Sequence, residues 1–580
     1  MSKILSISAV GHDCGVAYIV DGEIKHCFAE ERFTRIKGVL NQMVFPTFSL
    51  QKLLEVENIS LYDDDLIIVM PKMILSGFEE LKELSSKKLI QLYEHHYSHA
   101  CSSYYISGFK EDTLIITYDG GDSSLIDYQI LTPEIVKEIE ECGVPIHNPK
   151  SHIDDWYKKW RENPHDLENF NPKEYPIIVP EGKWTSQWKW DRDTKYTVSI
   201  GSNNNIDLKY QVSSTDSIAS LWHDITDMLG YVGGKDEGKL VGLAAQGKFN
   251  QEMYDNLSPH FTFNKQDFRW YGQGVREYFR SLNTFDFKVK QDIAYMLQMF
   301  TEQYMLEFVS YFKSKFPDTN KLCLAGGLFA NVKLNQKINE YAGFDEIFIA
   351  PAMSDEGLAL GAAIAKSVEL GEFKVKKIKN AFLGIETIDL EEVEDIEIEP
   401  LDPIKVASWL KDNKVIGVFA NRREWGPRAL GGTSIMYNPT DPNAQNYINF
   451  RLNRSEVMPF APVVLDGYEE ELFYCYKSKY ASEFMTLCYN VKEQWVEKIP
   501  GVINIFDGTA RPQIAKKDNE PFYSILTEFY NQTGVPSTMN TSFNVHGEPI
   551  INTLHEALKH LKNGVIDYLV TNNKIYKLKL

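Results

Sequence analysis

Ile4-Leu-Ser-Ile-Ser-Ala-Val-Gly-His-Asp-Cys-Gly-Val-Ala-Tyr-Ile-Val-Asp-Gly-Glu-Ile-Lys-His-Cys-Phe28 is the stretch whose reading decides the fold. It alternates as a strand, a turn at Gly11–Gly15, a strand from Val16 to Val20, an Asp21-Gly22 turn and a strand from Ile24 to Phe28. An Asp-Gly between two apolar runs is a strong hairpin signal. The plan recurs further on, as strand Thr113 to Tyr118, turn Asp119-Gly120-Gly121-Asp122 and strand Ser124 to Leu131. Such a repeat predicts an α/β domain built from duplicated halves.

Two hairpins with polar, glycine-bearing turns facing one cleft are how the actin, sugar-kinase (hexokinase) and heat-shock ATPase fold surrounds nucleotide phosphates. Fold analogy therefore points to ATP. Ser217 to Tyr231 reads as a helix closed by a Gly233-Gly234 turn, and Val289 to Phe316 as a long amphipathic helix whose apolar residues are core. Strand Lys321 to Ala325 leads into Gly326-Gly327 and a helix containing Asn331, a βα turn of nucleotide-binding kind. Pro351 to Gly357 opens an alanine-rich helix ending near Leu370. Residues 132 to 195 read as an insertion over the cleft, holding Trp156, Trp160, Trp184, Trp188 and Trp190, half of all ten tryptophans. Their rings either stack on a flat or ring-shaped ligand or form the small core of a loop-rich insert. From Gly371 to Pro403 a lysine-rich segment gives way to the acidic run Glu391 to Glu399, which reads as a solvated linker. It separates residues 1–370 from a second α/β unit at 404–580, which starts with a helix at 405–412 and a strand at 414–420.

Tyr93-Glu-His-His-Tyr-Ser-His-Ala100 carries the first chemistry. If residues 89–104 are helical, His95 and His99 lie on one face, an arrangement that suits two imidazoles on one cation. Asp119, where an apolar strand meets a Gly-Gly turn, can supply a carboxylate to the same group. The alternative is a pair of half-buried histidines near a hairpin.

Composition bounds the rest. With 580 residues the chain is too long for one ordinary core, and domain sizes suggest roughly two to four folding units. No apolar run reaches the roughly 18 residues of a membrane span, and the start runs directly into a strand pattern, so a cytoplasmic protein without membrane contact is expected. Seven scattered cysteines without a CxxC pair read as reduced thiols. A net charge of −20 argues against broad nucleic-acid binding.

Arginine gathers in the turn-rich parts of the second unit, at Arg422, Arg423 and Arg428, at Arg451 and Arg454, and at Arg511 in Asp507-Gly-Thr-Ala-Arg-Pro512. Guanidinium forks in turns suit phosphate or carboxylate, so the cluster points to a small anionic substrate; surface ion pairs are the alternative. No GxxxxGK[ST] is present, which excludes a P-loop. Asn540-Thr-Ser-Phe-Asn-Val-His-Gly-Glu-Pro549 adds a strip of donors and acceptors that can orient an amide-like group or build an elaborate turn.

Ala29-Glu-Glu-Arg-Phe-Thr-Arg-Ile-Lys37, the His95/His99 pair, Lys239-Leu-Val-Gly-Leu-Ala244, Gly426-Pro-Arg-Ala-Leu-Gly431, Pro459-Phe-Ala-Pro462, Asp507-Gly-Thr-Ala-Arg-Pro-Gln513 and Asn540-Thr-Ser-Phe-Asn544 together resemble the NodU/CmcH family of O-carbamoyltransferases. The resemblance implies an actin-like ATPase-class first domain and a YrdC-like second. It implies that carbamoyl phosphate and ATP form carbamoyl adenylate in the second domain, and that the first transfers the carbamoyl group to an acceptor hydroxyl. Metal ligands map onto His95, His99, Asp119 and Asp355, an N2O2 set fitting iron(II) first, then manganese or zinc, with magnesium accompanying ATP. His12 is the candidate base at the acceptor hydroxyl, with Asp236 a second and Lys37 a neutraliser of anionic intermediates. Gly120, Gly121, Lys239, Gly326, Gly327 and Asn331 would line the nucleotide, and Arg422, Arg428, Arg454, Arg511, Ser542 and Asn544 carbamoyl phosphate. Family members often read Gly-Arg where Asn421-Arg422 stands, and a lysine ahead of Pro-Phe-Ala-Pro has no equivalent here.

Three functions follow. The first is an ATP- and metal-dependent O-carbamoyltransferase acting on a small hydroxylated acceptor, a sugar or a hydroxymethylpyrimidine nucleotide. The second is a tRNA threonylcarbamoyl-type transferase, which the acidic charge disfavours. The third is a non-catalytic actin-like ATP-binding switch or chaperone, in which the arginine-rich unit has no purpose. A homodimer is the default assembly.

Overall fold

The structure, a computed structural model, describes residues 2–9, 13–37, 45–71, 84, 88–120, 130–131, 194–214, 216–265, 269–454 and 459–579. His12, Gly121 and the five tryptophans of the expected insertion lie outside the described residues.

The first half contains β1 (Lys3–Ser8), β2 (Gly15–Val20), β3 (Glu23–Ala29), β4 (Leu66–Pro71) and β5 (Ile90–Tyr93). The second contains β6 (Thr113–Tyr118), β8 (Thr194–Ser202), β9 (Asn205–Ser213), β10 (Lys321–Ala325) and β11 (Glu346–Ile349), with the short β7 (Ile130–Leu131) between. The two sheets run β3-β2-β1-β4-β5-β7 and β11-β10-β6-β8-β9. In each, an antiparallel trio is continued by two parallel strands: β1 lies antiparallel to β2 and parallel to β4, as β6 does to β8 and β10. This repeated order is the duplicated, actin/hexokinase-like plan. Asp21 and Gly22, with φ of 50° and 76°, form the predicted turn of the first trio, because two positive φ values in a row match the twist of a hairpin.

Three expectations change. Of the strand placed at Ser124–Leu131, residues 124–129 lie outside the described residues, and the described remainder does not pair with β6. Ile130 and Leu131 pair antiparallel with β5 in the first sheet, and β6 pairs with β8, beyond residue 193. The helix expected at 89–104 is strand β5 followed by a helix from His95 to Ser107. Glu94 makes the break by accepting a hydrogen bond from the Tyr97 backbone N–H at 2.5 Å, and Gly108, at φ 75°, ends the helix. The segment read as a solvated linker is structured: it supplies β12 (Phe382–Glu386) and β13 (Ile396–Pro400).

The C-terminal part adds β14 (Ile416–Phe419), β15 (Arg422–Glu424), β16 (Thr433–Tyr437), β17 (Ala461–Leu465), β18 (Tyr489–Asn490), β19 (Thr509–Ala510), β20 (Gln513–Ala515), β21 (Ser537–Ser542), β22 (Tyr568–Val570) and β23 (Lys574–Leu578). Seven of these strands and β13 form one mixed sheet, β13-β23-β22-β14-β16-β21-β17-β20. The acidic run therefore enters the sheet edge, where Lys577 pairs with Glu397 at 3.0 Å. Asn421 holds φ 53°, a left-handed position that glycine and asparagine tolerate best.

Two helices fix the centre of the first domain. One, His95–Ser107, follows the fifth strand of its half, and the other, Leu358–Glu369, follows the corresponding strand β11. They cross so closely at Gly361 that a Cβ there would lie 1.9 Å from the Ser98 carbonyl oxygen. Both helices are almost wholly buried. The C-terminal part is clamped onto this domain: Arg35 donates to the Ile550 and Pro549 carbonyls at 2.7 and 2.9 Å and pairs with Glu556 at 2.6 Å. Gly426, at φ 107°, presses against the Pro351 carbonyl. No described helix is long and apolar enough to cross a membrane.

Gly361→Ala is expected to destabilise the chain by about 1–3 kcal/mol, the range for overpacking a filled core. Thermal or urea unfolding checks it; unchanged stability would show that the crossing can relax.

Candidate active site and metal centre

The C-terminal ends of β6, β10 and β11 and the two crossing helices converge on one buried group. Helical spacing puts His95 and His99 on one face, with ring centroids 4.8 Å apart. Asp119 follows β6, and Asp355 precedes the helix Leu358–Glu369. His99 Nε2 lies 3.1 Å from Asp119 Oδ2 and 3.3 Å from Asp355 Oδ1, while His95 Nε2 lies 3.5 Å from each. One ligand atom from each of the four residues falls within 4.8 Å of all the others. Tetrahedral ligands with metal bonds of ~2.1 Å sit about 3.4 Å apart, close to the four histidine–aspartate distances, so the donor set fits a divalent ion. Two imidazoles and two carboxylates suit a first-row transition metal.

The electrostatics agree with that geometry. Burial alone would lower the His99 pKa, but hydrogen bonds to Asp119 and Asp355 outweigh it and raise the pKa. Burial would raise the Asp119 carboxyl, yet His95 and His99 hold it well below the usual carboxylate range. His96, beside them, is pushed well below its ordinary value by burial; its ring bonds to Thr117 Oγ1 at 2.8 Å and lies 3.3 Å from the Thr194 carbonyl. It braces the helix against β6 and β8.

The nucleotide candidates border the same group. Gly326, at φ 103°, approaches Tyr118 so closely that a Cβ would lie 2.2 Å from its carbonyl oxygen, and a Cβ on Gly327 would sit 3.1 Å from Asp119 Oδ1. The Gly120 N–H donates to its neighbour's Asp119 Oδ1 at 2.6 Å, and its carbonyl accepts from Ser220 Oγ and Lys195 Nζ. Asn331 caps the helix Val332–Tyr341 and bonds to Gln298. Asp236 pairs with Lys239 at 3.2 Å. Lys37 is exposed by area, but surrounding protein desolvates its ammonium and lowers its pKa, with Glu31 and Asp236 opposing and Lys235 and Arg454 adding to the shift. It therefore lies in the electrostatic neighbourhood of both Asp236 and the C-terminal Arg454.

The arginines do not form one cluster. Arg428 and Arg511 come together: burial first, and then Arg511, lower the Arg428 pKa to about 9, against Cys488 and Glu356. Burial likewise lowers Arg511, and the Nε atoms of both are buried without partners. Arg454 lies over the Phe460 ring and is bonded to Thr541 Oγ1 at 3.2 Å. Arg422 is not brought into the group. Its guanidinium is spent on the carbonyls of Leu383, Gly384 and Lys25 and on His26 Nδ1, where it holds β12 to β3. Asn544 organises its own turn through the Val545 and Glu548 carbonyls, and Ser542 is a strand residue opposite Ser434.

Two carboxylates escaped the sequence reading. Glu356 follows Asp355 directly and lines a cavity with Glu424, Trp425 and Gly426, so the four-residue group adjoins the loop that carries Arg428. Glu424 accepts from the backbone N–H groups of Leu430, Gly432 and Thr433 at 2.8–2.9 Å and shapes the loop that carries Arg428. Nothing in residue type alone distinguishes either from a surface acid.

Residues 178–364 match the family model described as Carbamoyltransferase N-terminus, and residues 407–577 match Carbamoyltransferase C-terminus. The protein MJ1058 of Methanocaldococcus jannaschii, itself uncharacterized, is 30% identical over 525 residues, covering 86% of this chain and 76% of that protein. The chain is a member of the NodU/CmcH-type carbamoyltransferase family. Nodulation protein NolNO of Sinorhizobium fredii is 26% identical to the carbamoyltransferase over 98% of the chain and 79% of the relative. Full-length HypF in its phosphate- and nucleotide-bound form aligns with 32% of the chain and 23% of its own at 18% identity, with a TM-score of 0.23. A likeness that low leaves the fold to be read from the strand order above. The carbamoyltransferase is thus a transferase, and the reading as a non-catalytic switch falls away.

Metal binding at His95, His99, Asp119 and Asp355 must displace a proton from His99, whose pKa is raised above 6.5. Apparent manganese or zinc affinity is therefore expected to climb with pH from below 6.5 until it passes that raised value, by up to about tenfold per unit for one proton released. Calorimetry in buffers of different ionisation enthalpy measures the proton count, and a pH-independent affinity would remove His99 from the ligand set.

Proposed function

We propose that this carbamoyltransferase activates carbamoyl phosphate with ATP and passes the carbamoyl group to a hydroxyl of a small acceptor. In the first stage water and carbamoyl phosphate give carbamate and phosphate, and the carbamate oxygen attacks the α-phosphorus of ATP, releasing pyrophosphate and leaving carbamoyl adenylate. In the second, the acceptor oxygen attacks the carbamoyl carbon, AMP departs, and the hydroxyl proton passes to a base. The observation that carries the reading is that Glu356, next in the chain to Asp355, lines one cavity with Glu424, Trp425 and Gly426, which brings the loop of Arg428 beside the His95–His99–Asp119–Asp355 group.

Each group has a chemical task in this scheme. Arg428 and Arg511, half-buried with buried, unpartnered Nε atoms, bind the phosphate of carbamoyl phosphate, and an anion there relieves the repulsion between them. Arg454, Ser542 and Asn544 complete that pocket on the strength of the family resemblance, with the Arg454 guanidinium kept in place by Phe460. Gly120 and Gly327 keep the space beside Asp119 free of side chains, Gly326 lets its turn pack on the Tyr118 backbone, and the family resemblance sets Asn331 at the border of the adenosine. An iron(II), manganese or zinc ion held by the four ligands supplies Lewis acidity to the carbamoyl carbonyl. Lys37, whose pKa burial lowers with Glu31 and Asp236 opposing, is assigned the neutralisation of the anionic intermediate by the family resemblance. Asp236 is a candidate acceptor of the hydroxyl proton; His12, outside the described residues, is assigned the same task by resemblance alone.

His99→Ala is expected to retain pyrophosphate release and to lose transfer by about a hundredfold or more. Arg511→Ala is expected to lower carbamoyl-phosphate-dependent pyrophosphate release by about a hundredfold. The check is a coupled pyrophosphate assay with carbamoyl phosphate, ATP and iron(II), read beside carbamoylation of a hydroxylated acceptor. Full transfer by the His99 variant would sink the metal assignment, and undiminished pyrophosphate release by the Arg511 variant would sink the pocket.

A further inference from the structure

The helix that follows the Gly326–Gly327 turn carries a positive charge where a helix least tolerates one. Lys333 occupies the second position of Val332–Tyr341, whose first turn holds no acidic residue. There the positive end of the helix dipole adds to the ammonium. The side chain does not escape to water. It is 18% exposed and reaches three acceptors, Asp507 Oδ2 at 3.0 Å, Gln336 Oε1 at 3.1 Å and Thr509 Oγ1 at 3.3 Å. Two of these belong to the C-terminal turn that leads into Arg511.

Asp507 is held in a specific pose. Its Oδ1 accepts from the Thr509 backbone N–H at 3.0 Å and from the Thr509 hydroxyl at 2.7 Å, which directs Oδ2 at Lys333. The buried Cys488 thiol marks the centre of the surrounding charge. Burial pushes its pKa up to about 11, while Lys333 and Arg511 pull it down, Asp507 raises it and Arg428 lowers it. Lys333, Arg511 and Arg428 thus act together on this thiol, with Asp507 opposing them. On the far side, Asn331 is bonded to Gln298 at 2.7 Å, and Gln298 to Glu302 at 2.7 Å, which fixes the start of the lysine's helix. Lysine suits such a place because its ammonium is a compact point charge on a flexible stem and can change partners, unlike the fixed fork of arginine.

We propose that Lys333 is a phosphate-binding residue of the activation site: its ammonium exchanges Asp507 for the phosphate or pyrophosphate group held by Arg428 and Arg511. The first domain then contributes a cation to the anion pocket of the C-terminal part, and Asp507 is its counterion when no anion is bound. The inference rests on the pocket assignment made under the proposed function.

Calorimetric titration of the full chain with inorganic pyrophosphate at fixed ionic strength tests it, with thermal unfolding in parallel. Lys333→Met is expected to weaken pyrophosphate by about tenfold or more, the worth of one charge-assisted hydrogen bond. Lys333→Arg is expected to recover most of the affinity. Asp507→Asn is expected to strengthen binding, because the competing carboxylate is gone. If K333M and D507N instead lower affinity and melting temperature together, or leave affinity unchanged, the pair is only a brace between two parts and the proposal is overturned. Should K333M not fold, D507N decides by the sign of its effect. Failure of the pocket itself has a different signature: Arg511→Met would then also bind pyrophosphate as the unaltered chain does.

Discussion

The rest of the structure depends on how closely two buried helices can approach. His95–Ser107 and Leu358–Glu369 occupy equivalent places in the duplicated halves, and Gly361 against the Ser98 carbonyl sets their separation. A side chain at that point would drive the helices apart and carry His95 and His99 away from Asp355. Because interiors are packed like crystals, such a shift cannot be absorbed locally. The same approach explains why the helix around the histidines can be polar in sequence and buried in fact: Ser98, Ser102 and Ser107 return their hydroxyls to backbone carbonyls of their own helix. Small hydroxylated residues permit a tight crossing where leucines would not.

A second constraint operates at the junction with the C-terminal part. Gly426, at φ 107°, lets the loop before Arg428 press on Pro351 and Ala352, a few residues ahead of Asp355. Glu424 then gathers three backbone N–H groups of the same loop, so its shape does not rely on a ligand. Preorganised charge is what an anion site requires, since donors already in place cost no reorganisation when charge develops. Burying Arg428 beside Arg511 is unfavourable in the absence of an anion, which is the sign expected of residues kept for binding rather than stability.

Much of this was legible in the sequence, and the limits have physical causes. The Asp21-Gly22 turn announced its hairpin because its chemistry is local, and Lys321–Ala325 with its two glycines stood where the sequence put it. Which strand pairs with β6 was not local: the candidate at 124–131 and the true partner Thr194–Ser202 have similar apolar patterns, and only three-dimensional register separates them. The acidic run at 391–399 read as solvent-facing because one strand at a sheet edge keeps its charged side chains exposed, as Glu397 does. His95, His99, Asp119 and Asp355 could be grouped through the family resemblance, while spacing alone offered only the histidine pair. Arginine type could not distinguish Arg422, which fastens β12 to β3, from Arg428, which faces Arg511; both sit in the same turn-rich stretch.

Charge at two length scales separates recognition from attraction in this chain. A net charge of −20 repels anions at long range. That field decays over a Debye length of about 8 Å at physiological ionic strength. Inside the junction, Arg428, Arg511 and Lys333 act on Cys488, opposed by Asp507. Under the proposed function, an anionic substrate gains nothing from the surface and must recover its desolvation cost from short, directed contacts. Phosphate can do so because its oxygens accept from several guanidinium and ammonium donors at once. A monovalent anion makes fewer such contacts. The acidic exterior thereby raises the requirement on geometry, and selection among anions falls to the buried donors rather than to the field around the protein.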